Sequence, residues 1–97
     1  MVTYNHEDDK LRCTFSGRID TNASQEMEQE LFAAIDKAGS QVVFDLADVD
    51  YISSAFLRIC LRAAKLSGED KFKVVGVQPG IKKVFKIAAF DKIIDIE

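Results

Sequence analysis

Alternation opens the chain. In "KLRCTFSGRI", Leu11, Cys13, Phe15 and Ile19 fall on one side, and Lys10, Arg12, Thr14, Ser16 and Arg18 on the other. A period of two predicts a strand with one wet face. "MVTYN" before it pairs through the polar turn "HEDD", giving an antiparallel hairpin. The period then lengthens. In "DTNASQEMEQELFAAIDKAG", Met27, Leu31, Ala34, Ile35 and Ala38 recur at helical spacing. Thr21 or Asn22 caps this helix, acidic residues fill its early turns, and Gly39 ends it. "QVVFDLADV" is a short apolar run, as expected of a central strand buried on both faces.

A second helix follows from Ser54. Leu57, Cys60, Leu61 and Ala64 form its inward stripe, with Phe56, Ile59 and Ala63 on the flank. Arg58, Arg62 and Lys65 lie opposite, and Gly68 closes it. "KFKVVGV" reads as a strand. "QPGIKKVFKIAAF" reads as a helix with Pro79 in its first turn and Ile81, Val84, Phe85 and Ala88 facing in. "KIIDIE" is a last short strand. The order is β-β-α-β-α-β-α-β, an α/β fold with a mixed, mostly parallel sheet. A chain of 97 residues suits one domain, 1–97, with a single core.

Composition narrows the class. Hydrophobic residues make up 47% and charged residues 30%, a globular profile. No apolar run approaches the roughly 20 residues that span a bilayer. The N-terminus lacks the basic start and apolar core of a secretory signal, so the expected location is cytoplasmic. Cys13 and Cys60 form no CxxC pair and read as reduced, buried thiols. The net charge of −3 divides unevenly: residues 1–50 carry −7 and residues 51–97 carry +4. A weakly acidic whole argues against general nucleic-acid binding, while the second half can offer a basic patch to an acidic partner.

Catalytic signatures are missing. The sequence holds no GxGxxG, no GxxxxGK[ST] and no GxSxG, and His6 is its single histidine. Asp45, Asp48 and Asp50 gather near the end of a strand without the glycine and glutamate of a calcium loop, and read as solvated loop carboxylates. No cofactor is expected. What remains is "VDYISSAFLRICLRAAK". A serine before an apolar helical run is a favoured N-cap, worth about 1 kcal/mol. Ser54 takes that role, and phosphate on it would meet free amides at the positive end of a helix dipole.

"FDLADVDYISSAFLRICLRAAK" resembles the signature of STAS domains, in particular the anti-sigma factor antagonists. "GRIDTNAS" is similar to the family's segment before the first helix, and "VQPGIKKVFKIAAFDKIIDI" to its closing pattern. The resemblance implies a STAS-like fold and a non-enzymatic role by partner switching. An unphosphorylated antagonist binds an anti-sigma factor, usually a serine kinase of the histidine-kinase-like ATPase fold. Phosphorylation ends the interaction and a serine phosphatase restores it. The resemblance places the phosphorylated serine at Ser54. Ser53 stands where one branch has aspartate, and Asp20 matches the aspartate near the switch. Phe56 replaces a usual glycine; if exposed, it would anchor a partner. The expected partner surface comprises Asp20, Asp48, Asp50, Ser53, Phe56, Arg58 and Arg62, with 48–53 as a loop. Neither nucleic acid nor membrane is expected as a partner. The alternative is a STAS scaffold or transporter-accessory subunit, with Phe56 blocking the kinase.

Overall fold

The computed structural model describes residues 2–39, 41–68 and 71–97. Val2–Glu7 (β1) and Lys10–Ile19 (β2) pair antiparallel, with Glu7 opposite Lys10. The turn is therefore Asp8 and Asp9 alone, and His6 and Glu7 belong to the strand. Asp8 turns at a φ of 50°, a left-handed conformation that aspartate tolerates better than most residues. The helix Thr21–Ala38 (α1) leads to Gln41–Ile52 (β3). Ser54–Ser67 (α2) leads to Phe72–Val75 (β4). Pro79–Ile87 (α3) and a 3₁₀ turn at Phe90–Lys92 lead to Asp95–Ile96 (β5). The strands lie side by side as β1-β2-β3-β4-β5, and every helix-linked pair is parallel.

Register shows where the core sits. Leu11, Val42 and Phe72 stand opposite one another across β2, β3 and β4; so do Cys13, Phe44 and Val74. These residues share one hydrophobic cluster with Met27, Leu31 and Ile35 of α1, Phe56, Ile59 and Cys60 of α2, and Ile81 and Phe85 of α3. All three helices therefore cover the same face of the sheet. Arg12, Asp45 and Lys73 belong to the alternate set on the opposite face. There Arg12 bridges Glu7 and Asp45 at 3.3 and 3.1 Å. Four phenylalanines fill the core centre. Phe15 and Phe44 meet edge to face at 4.9 Å, Phe15 and Phe56 at 5.2 Å, and Phe44 and Phe72 at 4.8 Å. Each such contact adds about 1 kcal/mol beyond the area it buries.

Three helix readings change. In α2 the buried stripe is Phe56, Ile59, Cys60, Ala63 and Ala64, while Leu57 and Leu61 are only partly covered. The inward face is thus rotated toward the residues expected on its flank. In α1 the buried set includes Phe32, while Ala34 and Ala38 are half covered. In α3 only Ile81 and Phe85 are buried; Val84 lies off their narrow stripe and Ala88 is the cap beyond the helix end at Ile87, and both are exposed. The last strand is also shorter than expected: Lys92 belongs to the 3₁₀ turn, and the pairing with β4 starts at Asp95. Among the described residues no helix is long and apolar enough to cross a membrane.

Candidate functional site

The end of β3 departs from plain alternation twice. Its pairing with β2 shifts between Thr14 and Ser16 and again between Gly17 and Arg18. At the second shift Gly17 pairs with Val49 and Arg18 with Tyr51, so Asp50 is the extra, unpaired residue of a bulge. Gly17 sits there at a φ of 83°, which a side chain would disfavour. The segment 48–52 is consequently strand and not the expected loop: pairing continues to Ile19 opposite Ile52. The bulges break the apolar pattern after Val49, which is why the sequence pattern stops the strand there. Their effect is to leave Asp48, Asp50 and Tyr51 exposed at the strand's carboxyl end.

Both α1 and α2 begin at this rim. The Ser53 amide donates to the Ile19 carbonyl at 3.0 Å, holding the two strand ends together. Asp20, not Thr21 or Asn22, caps α1: its Oδ1 accepts from the Ala23 amide at 2.8 Å. No acidic residue occupies the first turn of α1. Ser53, not Ser54, caps α2: its Oγ accepts from the Phe56 amide at 3.3 Å. The same oxygen lies 3.3 Å from Ser24 Oγ of α1, and either hydroxyl can donate. Ser24 and Ser53 are both buried. Ser54 is the first residue of α2, and its side chain is exposed. The caps answer the earliest orphan amides of each helix while leaving Ser54 free of that duty.

Phe56 is fully buried against Phe15 and lies 6.2 Å from Phe44. It is a core residue and presents nothing to a partner. The expectation that it anchors one is corrected, as is the expectation that it crowds the serine's surface. Ser53 is likewise interior and serves the surface only by holding its geometry. Arg58 is exposed and, among the described residues, makes no ion pair; it lies one turn from Ser54 on α2. Arg62 is tied to α1: its Nη1 donates to Glu28 at 3.1 Å, and its guanidinium lies 4.0 Å from the Phe32 ring centre.

Three of the expected surface residues, Arg58, Arg62 and Asp50, line two separate grooves. Arg58 and Arg62 line one of about 270 Å³ between α1 and α2, with Ser24, Gln25 and Glu28. Asp50 lines another of about 270 Å³ between β3 and α3, with Tyr51, Gly80 and Val84. Asp48 is exposed on β3 and lines neither. The sequence reading missed the Arg18–Tyr51 pair, whose guanidinium lies 3.9 Å from the ring centre. Arg18 was legible as a wet-face residue; its partner was hidden by the bulge.

Chemistry elsewhere is quiet. Cys13 and Cys60 are free and buried; burial pushes the Cys13 thiol up to about 12 and raises that of Cys60 as well. Neither offers a thiolate at neutral pH. Asp45 is engaged by Arg12 and by the Ala47 amide, and among the described residues no group of three or more metal-binding side chains assembles.

Comparisons with known proteins agree with this architecture. Residues 2–95 match a family model described as "Mlab, STAS domain". A Bordetella bronchiseptica protein, BtrV, named as a candidate anti-sigma factor antagonist, is 34% identical over 91 residues, covering 92% of this chain and 78% of that protein. An anti-sigma factor antagonist from Mycobacterium paratuberculosis superposes with a TM-score of 0.88 at 22% identity, over 99% of this chain and 83% of that one. The Bacillus cell fate determinant SpoIIAA, in its phosphorylated form, superposes with a TM-score of 0.73 at 12% identity, over 100% and 91%. With its strand order, its paired helix starts and a family match over nearly its whole length, the chain belongs to the STAS domain family.

Proposed function

We propose that this protein is an anti-sigma factor antagonist that works by partner switching. The observation that carries the reading is the division of labour at the start of α2. Ser53 holds the cap from inside, so the exposed Ser54 hydroxyl can be modified without undoing the helix. The relative BtrV carries the same role in its name, and SpoIIAA is known in a phosphorylated form.

In this reading a serine kinase of the histidine-kinase-like ATPase fold is both partner and modifier. Ser54 Oγ attacks the γ-phosphorus of ATP, the bond from that phosphorus to the ADP oxygen breaks, and the hydroxyl proton passes to a base of the kinase. The product carries up to about −2 charge at pH 7. Two things stabilise that charge on the free protein: the positive end of α2 and Arg58, one turn along. A partner packed over the same rim would have to desolvate it. Binding and phosphorylation therefore oppose each other. The unphosphorylated surface comprises Ser54, Arg58 and Arg62, with Asp48 and Asp50 at the neighbouring strand end and Asp20 fixing the rim. A serine phosphatase resets the switch. The protein acts in the cytoplasm by binding and not by catalysis.

The scaffold or transporter-accessory reading rested on Phe56 obstructing the kinase, and its burial removes that reason. The test is incubation with the cognate kinase and ATP, read by intact-mass spectrometry. One phosphate should be added to the wild type and none to Ser54→Ala. Normal modification of Ser54→Ala overturns the assignment.

A further inference from the structure

The third helix carries an exposed surface that meets the proposed phosphoswitch surface only at Asp50. Ile87 is 78% exposed and Ile93, just after the 3₁₀ turn, 49%. At about 100° per residue, the buried Ile81 and Phe85 occupy one side of α3. Gly80, Val84 and Ile87 form the next strip, and Lys82, Lys83 and Lys86 fill the remaining arc. These lysines and Lys92 are exposed, and none makes an ion pair among the described residues. With Asp91 as the one carboxylate, residues 78–93 carry a net charge of +3. The apolar strip continues into the groove between β3 and α3, whose walls are Tyr51 and Val84. Gly80 leaves that groove open: a Cβ built there meets nothing within 4 Å.

The geometry points to a docking groove for an acidic amphipathic segment of a protein partner. Apolar side chains of the segment lie between Tyr51 and Val84 and run over Ile87. Its carboxylates face Lys83 and Lys86. Asp50 lines the opposite wall, where the Arg18 guanidinium also stacks on Tyr51, so that wall carries both signs and the unpaired lysines of α3 set where the segment's carboxylates lie. Concavity, the apolar lining and a wall of mixed sign favour a protein segment over an anionic membrane or a nucleic-acid backbone. Unpaired lysines around an apolar strip are also the arrangement expected to speed encounter with an acidic partner. The groove does not depend on Ser54 modification.

The probe is a fluorescein-labelled synthetic helix with leucines at i, i+3 and i+7 flanked by glutamates. Its controls are the same peptide with glutamines, phosphatidylglycerol vesicles and a DNA duplex. The acidic peptide should bind the full chain, weaken with added salt, and shift the amide resonances of Tyr51, Gly80 and Val84. Gly80→Leu, which fills the groove, and the double variant Lys83→Glu/Lys86→Glu should each raise Kd by about tenfold or more. Ser54→Ala and Ser54→Asp should bind as the wild type does, separating this result from the fate of the phosphoswitch. Because these positions are exposed, circular dichroism should show unchanged folding, and Ile87→Ser supplies a second apolar variant. Absent binding, equal binding of the glutamine peptide, preference for vesicles or DNA, or indifference to Gly80→Leu would each overturn the inference.

Discussion

The hydroxyl oxygens of Ser24 and Ser53 lie 3.3 Å apart inside the protein, joining the first turn of α1 to the cap of α2. One buried hydrogen bond thus couples the two helix starts that frame Ser54. Ser53→Ala removes this bond and the cap on the Phe56 amide together. The expected cost is about 1–2 kcal/mol, a fall in Tm of roughly 4–8 °C per kcal/mol for a domain of this size. Ser24→Ala should cost less, because the cap survives. Thermal melts check this; equal losses would show that the cap contributes little.

Ser54 makes the contrasting prediction. It is exposed and caps nothing, so Ser54→Ala should change stability by no more than about 0.5 kcal/mol. Ser54→Asp should be neutral or stabilising by about 0.3–1 kcal/mol, because a carboxylate in the first turn suits the helix dipole. Its affinity for the proposed kinase partner should nonetheless fall. Denaturant titration and calorimetry on the same variants separate these effects. A Ser54→Asp protein that is markedly unstable would undo the claim that this helix start accommodates negative charge.

Phe56 predicts the opposite balance. Removing a ring packed among Phe15 and Phe44 should cost about 3–5 kcal/mol in Phe56→Ala. Phe56→Leu should cost less and leave partner affinity unchanged in the folded protein. A surface role would instead show as lost affinity with little loss of stability.

The two arginines of α2 should behave differently. Arg58→Ala should leave stability nearly unchanged while weakening partner binding. Arg62→Ala loses an exposed ion pair to Glu28 and a stacking contact on Phe32, and should cost about 0.5–1.5 kcal/mol. Equilibrium unfolding and partner titration on both variants give the comparison. Equal stability losses would show that the Glu28–Phe32 contacts hold nothing.

Alkaline pH should destabilise the fold. The Cys13 thiol, ordinarily near 9, and the Tyr4 phenol, ordinarily near 10, are both raised to about 12, chiefly by burial. Their protonated forms are favoured by folding. The associated stability is complete below about pH 9 and declines as pH climbs toward 12. Denaturant midpoints at about pH 8, 10 and 11 should fall in that order, and a flat series contradicts the burial argument. The same burial predicts slow reaction of both cysteines with a thiol reagent at neutral pH until the chain is unfolded.

Much of this was legible in the sequence. Period two in "KLRCTFSGRI" and the glycines after each long helix determined the element order, because local backbone preference and one-sided burial act over short spans. The serine pair at the head of α2 was visible for the same reason, and its resemblance to the STAS signature named the family that the comparisons show. Which serine caps was decided by tertiary structure. The Ser53 hydroxyl has a neighbour across the fold in Ser24, and only packing of α1 beside α2 brings them together. The rotation of α2 that buries Phe56 was settled the same way, by the positions of Phe15 and Phe44 on the sheet. The bulge at Asp50 likewise depends on a partner strand: it is a mismatch between β2 and β3, and no single strand contains it. Periodicity fixes which elements form; the surface they present is set by residues distant in the chain.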